Sequence, residues 1–372
     1  SVANLVSMNA ASADARPTPP RSAYIHVPFC SHRCGYCNFS VIAGRNDLAA
    51  DYIDAIAWEL RQLADCESST ESQLDTLYFG GGTPTQLTVT QLRNLFQLVT
   101  SYLPVATKAE ITVEANPADL DEAYVAAIAE MGVTRISLGV QSFHDSHLHT
   151  LERDHTGEHI ARVISLLRKA EISSISVDLI FAVPGQSLAQ WKADLARLIS
   201  LTPDHVSTYG LTFEKGTSFY RRRQQNELQQ ATEELERDMY LAAVDTITAA
   251  QYEHYEVSSF AYPGKRSRHN EVYWTGQPYW AFGPGASRFV NGRRETNHRS
   301  VTTYLRRVRA KQSPVAESET LSSEDAARER LVFALRRLEG VSLSEFHART
   351  GFTVEELVAD ELAEFVGLGL MD

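Results

Sequence analysis

Between Ala23 and about Glu214 the chain repeats one pattern, a short β-branched run followed by an amphipathic helical stretch, and this repetition limits the fold more than any other feature. Strands separated by helices cannot pair as tight hairpins. They need crossover connections, which set parallel strands side by side with helices packed over them. The runs read as strands are Ala23–Phe29, Asp75–Phe79, Ala109–Ala115, Arg135–Val140, Ser174–Phe181 and His205–Leu211. Between them, Ile53, Ile56, Leu60 and Leu63 share one helical face, as do Ile160, Val163, Ile164 and Leu167. A third such face carries Leu188, Trp191, Leu195 and Leu198. Six units of this kind predict an α/β fold, a partial (β/α)6 TIM-like barrel short of the closed eight-fold form.

In such barrels chemistry gathers where strands end and loops begin. The first predicted strand runs into Cys30-Ser31-His32-Arg33-Cys34-Gly35-Tyr36-Cys37, which holds three of the four cysteines. An odd cluster at C-x3-C-x2-C spacing is no disulfide framework; thiolates converging from one loop suit a soft metal or an iron-sulfur centre. Structural zinc and ordinary electron-transfer clusters generally take four protein ligands, so three leave a position open for water, substrate or a small cofactor. The residue two places past Cys37 is Phe39, not a fourth thiol. Cys66, in or just after a helix, reads as a packing residue or inert thiol.

Gly80-Gly81-Gly82-Thr83-Pro84-Thr85 ends the second strand. Alone, a glycine run there is usually a tight turn; beside a three-thiol loop it reads as backbone that must approach a ligand closely. Polar residues also punctuate the next strands, at Glu114, Gln141 and Asp178. Burying them without partners is costly, so they are candidate site residues. A helix-capping role for Glu114 and an arginine pairing for Asp178 are the alternatives.

The cysteine loop followed by the glycine run resembles the radical S-adenosylmethionine (SAM) superfamily, and within it the branch of oxygen-independent coproporphyrinogen oxidases and HemW-type haem chaperones. The resemblance extends from about Tyr24 to near the C-terminus. It implies that Cys30, Cys34 and Cys37 hold a [4Fe-4S] cluster and that SAM occupies the fourth iron. It further implies SAM contacts from Tyr24, Tyr36, Gly81, Gly82, Thr83, Glu114, Gln141, Arg153 and Asp178, and an electron donor for the cluster. Glu152 stands where glycine is common in those families, a departure that touches the local backbone.

Beyond the barrel repeat, about Gln224 to Ala250 reads as one long helix with Leu235, Met239 and Ala242 on its core face. Tyr252–Phe260 reads as an aromatic strand. His269-Asn270-Glu271-Val272-Tyr273-Trp274 follows, with a second aromatic group at Tyr279-Trp280-Ala281-Phe282. A lone histidine is more often a hydrogen-bonded imidazole than a ligand. The H-N-x-x-Y-W string, however, resembles the signature of the haem-chaperone branch, which implies haem binding through His269. Imidazole ligates iron and flat aromatics wall a macrocycle. His254 and His298 are alternative ligands. Lys265, Arg266 and Arg268 are candidates to neutralise haem propionates, with a solvated basic turn as the alternative.

From Val301 onward the chain reads as helical, over Val301–Lys311, Ser322–Leu338, Leu343–Thr350 and Val354–Val366, with a polar linker at Gln312–Thr320. The domains expected are therefore a disordered tail over 1–22, the barrel with its haem-binding extension over 23–311, and a small helical domain over 312–372. The last resembles a winged-helix-like HemN C-terminal domain, expected to be truncated where wing strands would begin. Net charge is −12, and residues 312–372 carry 13 acidic side chains against 5 basic, which argues against nucleic-acid binding there and overall. No apolar run reaches the ~18 residues of a membrane span. No signal peptide is evident, and unpaired cysteines fit a reducing cytoplasm.

Three functions are compatible with these features: a haem chaperone passing haem to an acceptor protein, an oxygen-independent coproporphyrinogen oxidase, and a structural zinc protein. The first two share cluster and SAM, and SAM cleavage is expected of either. The oxidase branch usually carries a fourth cysteine where this chain has Phe39. That difference and the His269–Trp274 string favour the chaperone, without oxidase activity.

Overall fold

The computed structural model describes residues 19–66 and 72–370. The expected tail therefore lies outside the described residues up to position 18. Its last residues do not: Arg21 grips Asp75 through two hydrogen bonds of 2.5 and 2.7 Å, and the first strand begins at Ser22.

That strand, β1 (Ser22–Val27), leads into the cysteine loop, stitched by two short strands, β2 (Phe29–Cys30) and β3 (Ile42–Ala43), and then into α1 (Ala49–Cys66). Five βα units follow. They are β4 (Leu74–Gly81) with α2 (Val89–Tyr102), β5 (Val105–Ala115) with α3 (Glu122–Glu130), and β6 (Arg135–Gln141) with α4 (Asp145–Thr150) and α5 (Gly157–Lys169). The last two are β7 (Ser174–Phe181) with α6 (Leu188–Ser200), and β8 (His205–Gly210) with α7 (Ser218–Gln224) and α8 (Glu233–Ala249).

Strands β1, β4, β5, β6, β7 and β8 lie parallel and in chain order at the centre of a nine-stranded sheet, the expected six-unit partial barrel. Beyond β8 come an antiparallel pair, β9 (Glu253–Glu256) and β10 (Ser259–Ala261), and a short helix, α9 (Arg268–Trp274). At the opposite edge β11 (Trp280–Phe282) lies parallel to β1. A separate antiparallel sheet holds β12 (Ser287–Val290), β13 (Arg293–Asn297) and, after α10 (Val301–Arg309), β14 (Val315–Thr320). The C-terminal helices α11 (Ser323–Ala334), α12 (Leu343–Thr350) and α13 (Val354–Gly367) close on a small core of Ala327, Leu331, Phe346, Val354 and Leu357.

The central strands alternate. Ile136, Leu138 and Val140 of β6, and Ile175, Val177 and Leu179 of β7, are fully buried in the main apolar core that includes the helices. Their neighbours Arg135, Ser137, Gly139 and Gln141, and Ser176 and Asp178, line a cavity instead. Side chains alternate faces along a strand, so a largely polar row inside and an apolar row outside give an open barrel with a polar-lined interior and an apolar outer layer. The helices start cleanly: Thr88, Ser187 and Thr353 each form a capping box, with Gln91, Gln190 and Glu356. Trp191 of α6, fully buried, donates its indole N–H to the Met239 carbonyl at 2.8 Å and so ties α6 to α8.

Three stretches differ from the sequence reading. The long helix expected over 224–250 is interrupted: Asn226 takes a left-handed φ of 58° and Thr232 caps a new start at α8. The aromatic run 252–260 folds back on itself as β9 and β10. Gln312–Thr320, expected as a linker, carries β14, paired along β13.

Candidate functional site

Three thiols open onto one cavity. Cys30 ends β2, and a turn closed by the Cys37 N–H on the Cys34 carbonyl, at 3.0 Å, brings the other two round. The loop is fixed by neighbouring backbone: Ile42 N–H donates to Pro28, Gly82 N–H to Val27 and Thr83 N–H to Phe29, each at 2.8 Å. The glycines serve this stitching. A Cβ on Gly82 would stand 2.8 Å from the carbonyl oxygens of Val27 and Phe29, and one on Gly81, at φ 107°, would enter the His26 ring. The need for bare backbone thus arises within the protein itself.

The cavity, about 740 Å³, is lined by Cys30, Cys34, Cys37, Tyr36, Gly81, Gly82, Thr83, Glu114, Gln141, Arg153 and Asp178. Of the three cluster ligands, nine SAM contacts and first-choice haem ligand expected from sequence, eleven therefore meet in one space; Tyr24 and His269 are not part of it. The Thr83 hydroxyl lies 3.6 Å from the Cys30 sulfur. Burial pushes the Cys30 thiol up to about 11 and raises Cys37 also.

Glu114 accepts the Tyr78 hydroxyl at 2.8 Å and the Gly81 N–H at 2.9 Å. Burial outweighs both bonds and raises its carboxyl to about 7. Asp178, also raised by burial, accepts the Ser137 hydroxyl at 2.8 Å. Neither alternative reading holds: Glu114 caps the Gly81 amide and no helix, and among the described residues no arginine forms an ion pair with Asp178. Arg153 donates to the Gly139 carbonyl (3.0 Å) and to Asn116 (3.2 Å), with one guanidinium nitrogen 3.9 Å from the Cys34 sulfur. Its buried Nε has no hydrogen-bond partner among the described residues.

Tyr24 and His269 form a layer of their own. The Tyr24 hydroxyl lies 3.1 Å from His26 Nδ1, and its ring centroid is 5.9 Å from that of Tyr78. His269, 1% exposed, sits in α9 with Nδ1 2.8 Å from the Thr76 hydroxyl and Nε2 2.8 Å from the Tyr273 hydroxyl. Burial lowers its pKa to about 3. The haem-ligand expectation for His269 finds no free ring nitrogen in this arrangement, which is that of a hydrogen-bonded core imidazole. The basic trio is also engaged. Lys265 reaches the Ser173 carbonyl and Arg268 the Lys108 carbonyl, while Arg266 pairs with Glu253, Glu271 and Glu339. His254 stacks on Phe260 at 4.3 Å, outside the cavity, as is His298. The Cys66 side chain lies outside the described residues.

Sequence reasoning passed over the lower cavity, where Arg135, Ser137, Ser176, His205, Ser207 and Tyr209 line the wall. The signal was present: polar residues recur at alternate positions of β6, β7 and β8, broken only by Gly139 and Ile180. β6 alone carries the lining over about 20 Å from Arg135 to Gln141, at ~3.3 Å per residue.

An open six-strand parallel barrel with a three-cysteine loop after its first strand defines a radical SAM protein. The family model described as Radical SAM superfamily matches residues 24–198, and that described as HemN C-terminal domain matches residues 321–372. "Heme chaperone HemW" of Lactococcus lactis is 34% identical, over 95% of this chain and 91% of that protein. "Heme chaperone HemW" of Bacillus subtilis is 32% identical, over 94% and 92%. The solved structure of the coproporphyrinogen III oxidase HemN of Escherichia coli superposes with a TM-score of 0.84 over 95% of this chain and 84% of that one, at 21% identity. The chain belongs to the HemW family of the radical SAM superfamily.

Membership implies a [4Fe-4S] cluster and SAM, and the residues present fit both. The donor set is three soft thiols with a cationic guanidinium beside Cys34. Among the described residues no three His, Cys, Asp or Glu side chains are grouped as a single-ion site requires. The half-satisfied Arg153 and the carboxylates of Glu114 and Asp178 supply complementary partners for a ligand bearing both a carboxylate and positive charge.

Proposed function

We propose that this chain is a haem chaperone on a radical SAM scaffold, binding a cluster, SAM and haem and passing haem to an acceptor protein. Cys30, Cys34 and Cys37 would hold the cluster. Tyr36, Gly81, Gly82, Thr83, Glu114, Gln141, Arg153 and Asp178 would receive SAM, with Tyr24 supporting them through Tyr78. When bound, cluster and SAM supply one-electron cleavage chemistry, fed by an external electron donor. The protein's own part is to keep three thiols on one wall, to set Arg153 beside Cys34, and to bury Glu114 and Asp178 where a cationic ligand offsets their desolvation.

The observation that carries this reading is the meeting in one cavity of the three thiols and eight of the nine residues expected to contact SAM, with Phe39, 64% exposed, on the same lining where the oxidase branch usually has a fourth cysteine. The haem role rests on the named relatives. Direct ligation by His269 would require α9 to part from β4. Free thiols kept as ligands fit a reducing cytoplasm. Among the described residues no helix is long and apolar enough to cross a membrane.

The test is anaerobic reconstitution with iron and sulfide, followed by SAM binding read by electron paramagnetic resonance and haem titration read by absorbance. Stoichiometric zinc in place of iron and sulfide would sink the cluster. Incubation with coproporphyrinogen, SAM and a reductant should leave the porphyrinogen unchanged; formation of protoporphyrinogen would identify an oxidase instead.

A further inference from the structure

Gly35 sits between the second and third cysteines, and both its backbone groups are held by other segments. Its N–H donates to Glu152 Oε2 at 2.7 Å, and its carbonyl accepts the Phe219 N–H at 2.8 Å. A side chain there would force Phe219 to move: a Cβ would stand 2.4 Å from its fully buried ring. The other Glu152 oxygen faces Arg222 at 3.4 Å, and the Arg222 guanidinium lies over the Phe219 ring, 5.5 Å from its centroid. Glu152, Arg222 and Phe219 thus form a closed clasp around the middle of the cysteine loop.

Glu152 occupies an unfavourable backbone position to do this. It follows α4 with φ of 57°, and the Arg153 N–H reaches back to the Leu148 carbonyl at 2.8 Å, a helix end that ordinarily uses glycine. Its carbonyl meets the His32 imidazole and lies 3.7 Å from the Cys34 sulfur. One residue therefore touches the loop at Gly35, His32 and Cys34, immediately before Arg153.

We propose that Glu152 is a positioning residue, whose carboxylate, held by Arg222, clasps the Gly35 amide, keeps the cysteine loop in ligand-ready form and places a negative charge beside the cluster. This rests on the reading of the loop as a cluster site. Of the Glu152–Arg222 pair it is the anion that touches the loop, at Gly35, so its removal leaves the Arg222 cation there without that partner and raises the cluster potential.

The test compares full-length wild type with Glu152→Gly, Glu152→Gln and Arg222→Met. Glycine accepts the left-handed backbone, so Glu152→Gly removes the side chain without threatening the fold. In cluster-free protein, hydrogen exchange of the peptide over residues 30–37 should speed at least tenfold in Glu152→Gly and less in Glu152→Gln, which keeps an acceptor. After reconstitution, Glu152→Gly should lose iron to a chelator several-fold faster. Both Glu152 variants should show a more positive midpoint potential, and Arg222→Met intermediate loop exchange. Wild-type exchange in Glu152→Gly overturns the clasp; faster exchange with unchanged iron loss and potential overturns its role toward the cluster. A wild type that takes up no cluster sinks the cluster reading alone, because the exchange measurement needs no metal.

Discussion

The imidazole of His269 stacks on the phenol of Tyr78 with 4.9 Å between ring centroids, and each of its nitrogens lies 2.8 Å from a hydroxyl. A side chain so satisfied acts first on stability. His269→Ala is expected to cost about 2–4 kcal/mol, from the cavity and from leaving Thr76 and Tyr273 without a partner. Urea unfolding of the cluster-free protein checks this; a cost within ~0.5 kcal/mol of zero, the scale of ordinary surface changes, would contradict the packing described.

Glu114 makes the barrel interior pH-sensitive. Its carboxyl is raised from 4.5 to about 7 in the fold, so between those pH values the folded state binds more protons than the unfolded one. Stability contributed by Glu114 is therefore present below pH 4.5 and is lost as pH rises through 7, by about 3 kcal/mol. Unfolding of wild type and Glu114→Gln at pH 5 and pH 8 should show the gap between them shifting in favour of the variant at high pH. A gap that stays constant would place the carboxyl in its ordinary range.

At Gly82 even one methyl group meets three backbone atoms at 2.8 Å. Backbone gives way less readily than a side-chain tip, so Gly82→Ala should destabilise by about 1–3 kcal/mol and push the cysteine loop away from β4. Iron uptake on reconstitution should fall with it. Full uptake at unchanged stability would mean that the loop has freedom not apparent in its hydrogen bonds.

Trp191 separates packing from hydrogen bonding. Trp191→Phe gives up chiefly the bond to Met239, about 1 kcal/mol, whereas Trp191→Ala should cost about 3–5 kcal/mol. Melting curves of the two variants would reveal the difference. Equal losses would mean that the indole N–H, and not its bulk, joins α6 to α8.

Much of the barrel was legible because its signal is local. The run Ser174–Phe181 coincides with β7 to the residue, and Ile160, Val163, Ile164 and Leu167 are all buried on α5 as their spacing requires. Where the reading failed, the deciding contact was distant or the chain carried no apolar pattern. In β14 the run Val315-Ala316-Glu317-Ser318-Glu319-Thr320 is largely exposed, so hydrophobicity gave no hint that its backbone pairs with β13. The His269–Trp274 string carries a family resemblance in its own residues, but whether an imidazole is free or enclosed depends on Thr76 and Tyr78, nearly two hundred residues away in the chain.

The six-unit barrel, the three-thiol loop and most of the cavity wall are already present in the order of the residues, since strand period, helix period and cysteine spacing are written into neighbouring positions. That Glu152 reaches Gly35, that Arg153 stands beside Cys34, and that His269 of α9 is closed in against Thr76 and Tyr78 follows from tertiary packing alone. Those relations join segments brought together by packing, and a side chain's partners, unlike its periodicity, exist only once the chain has folded.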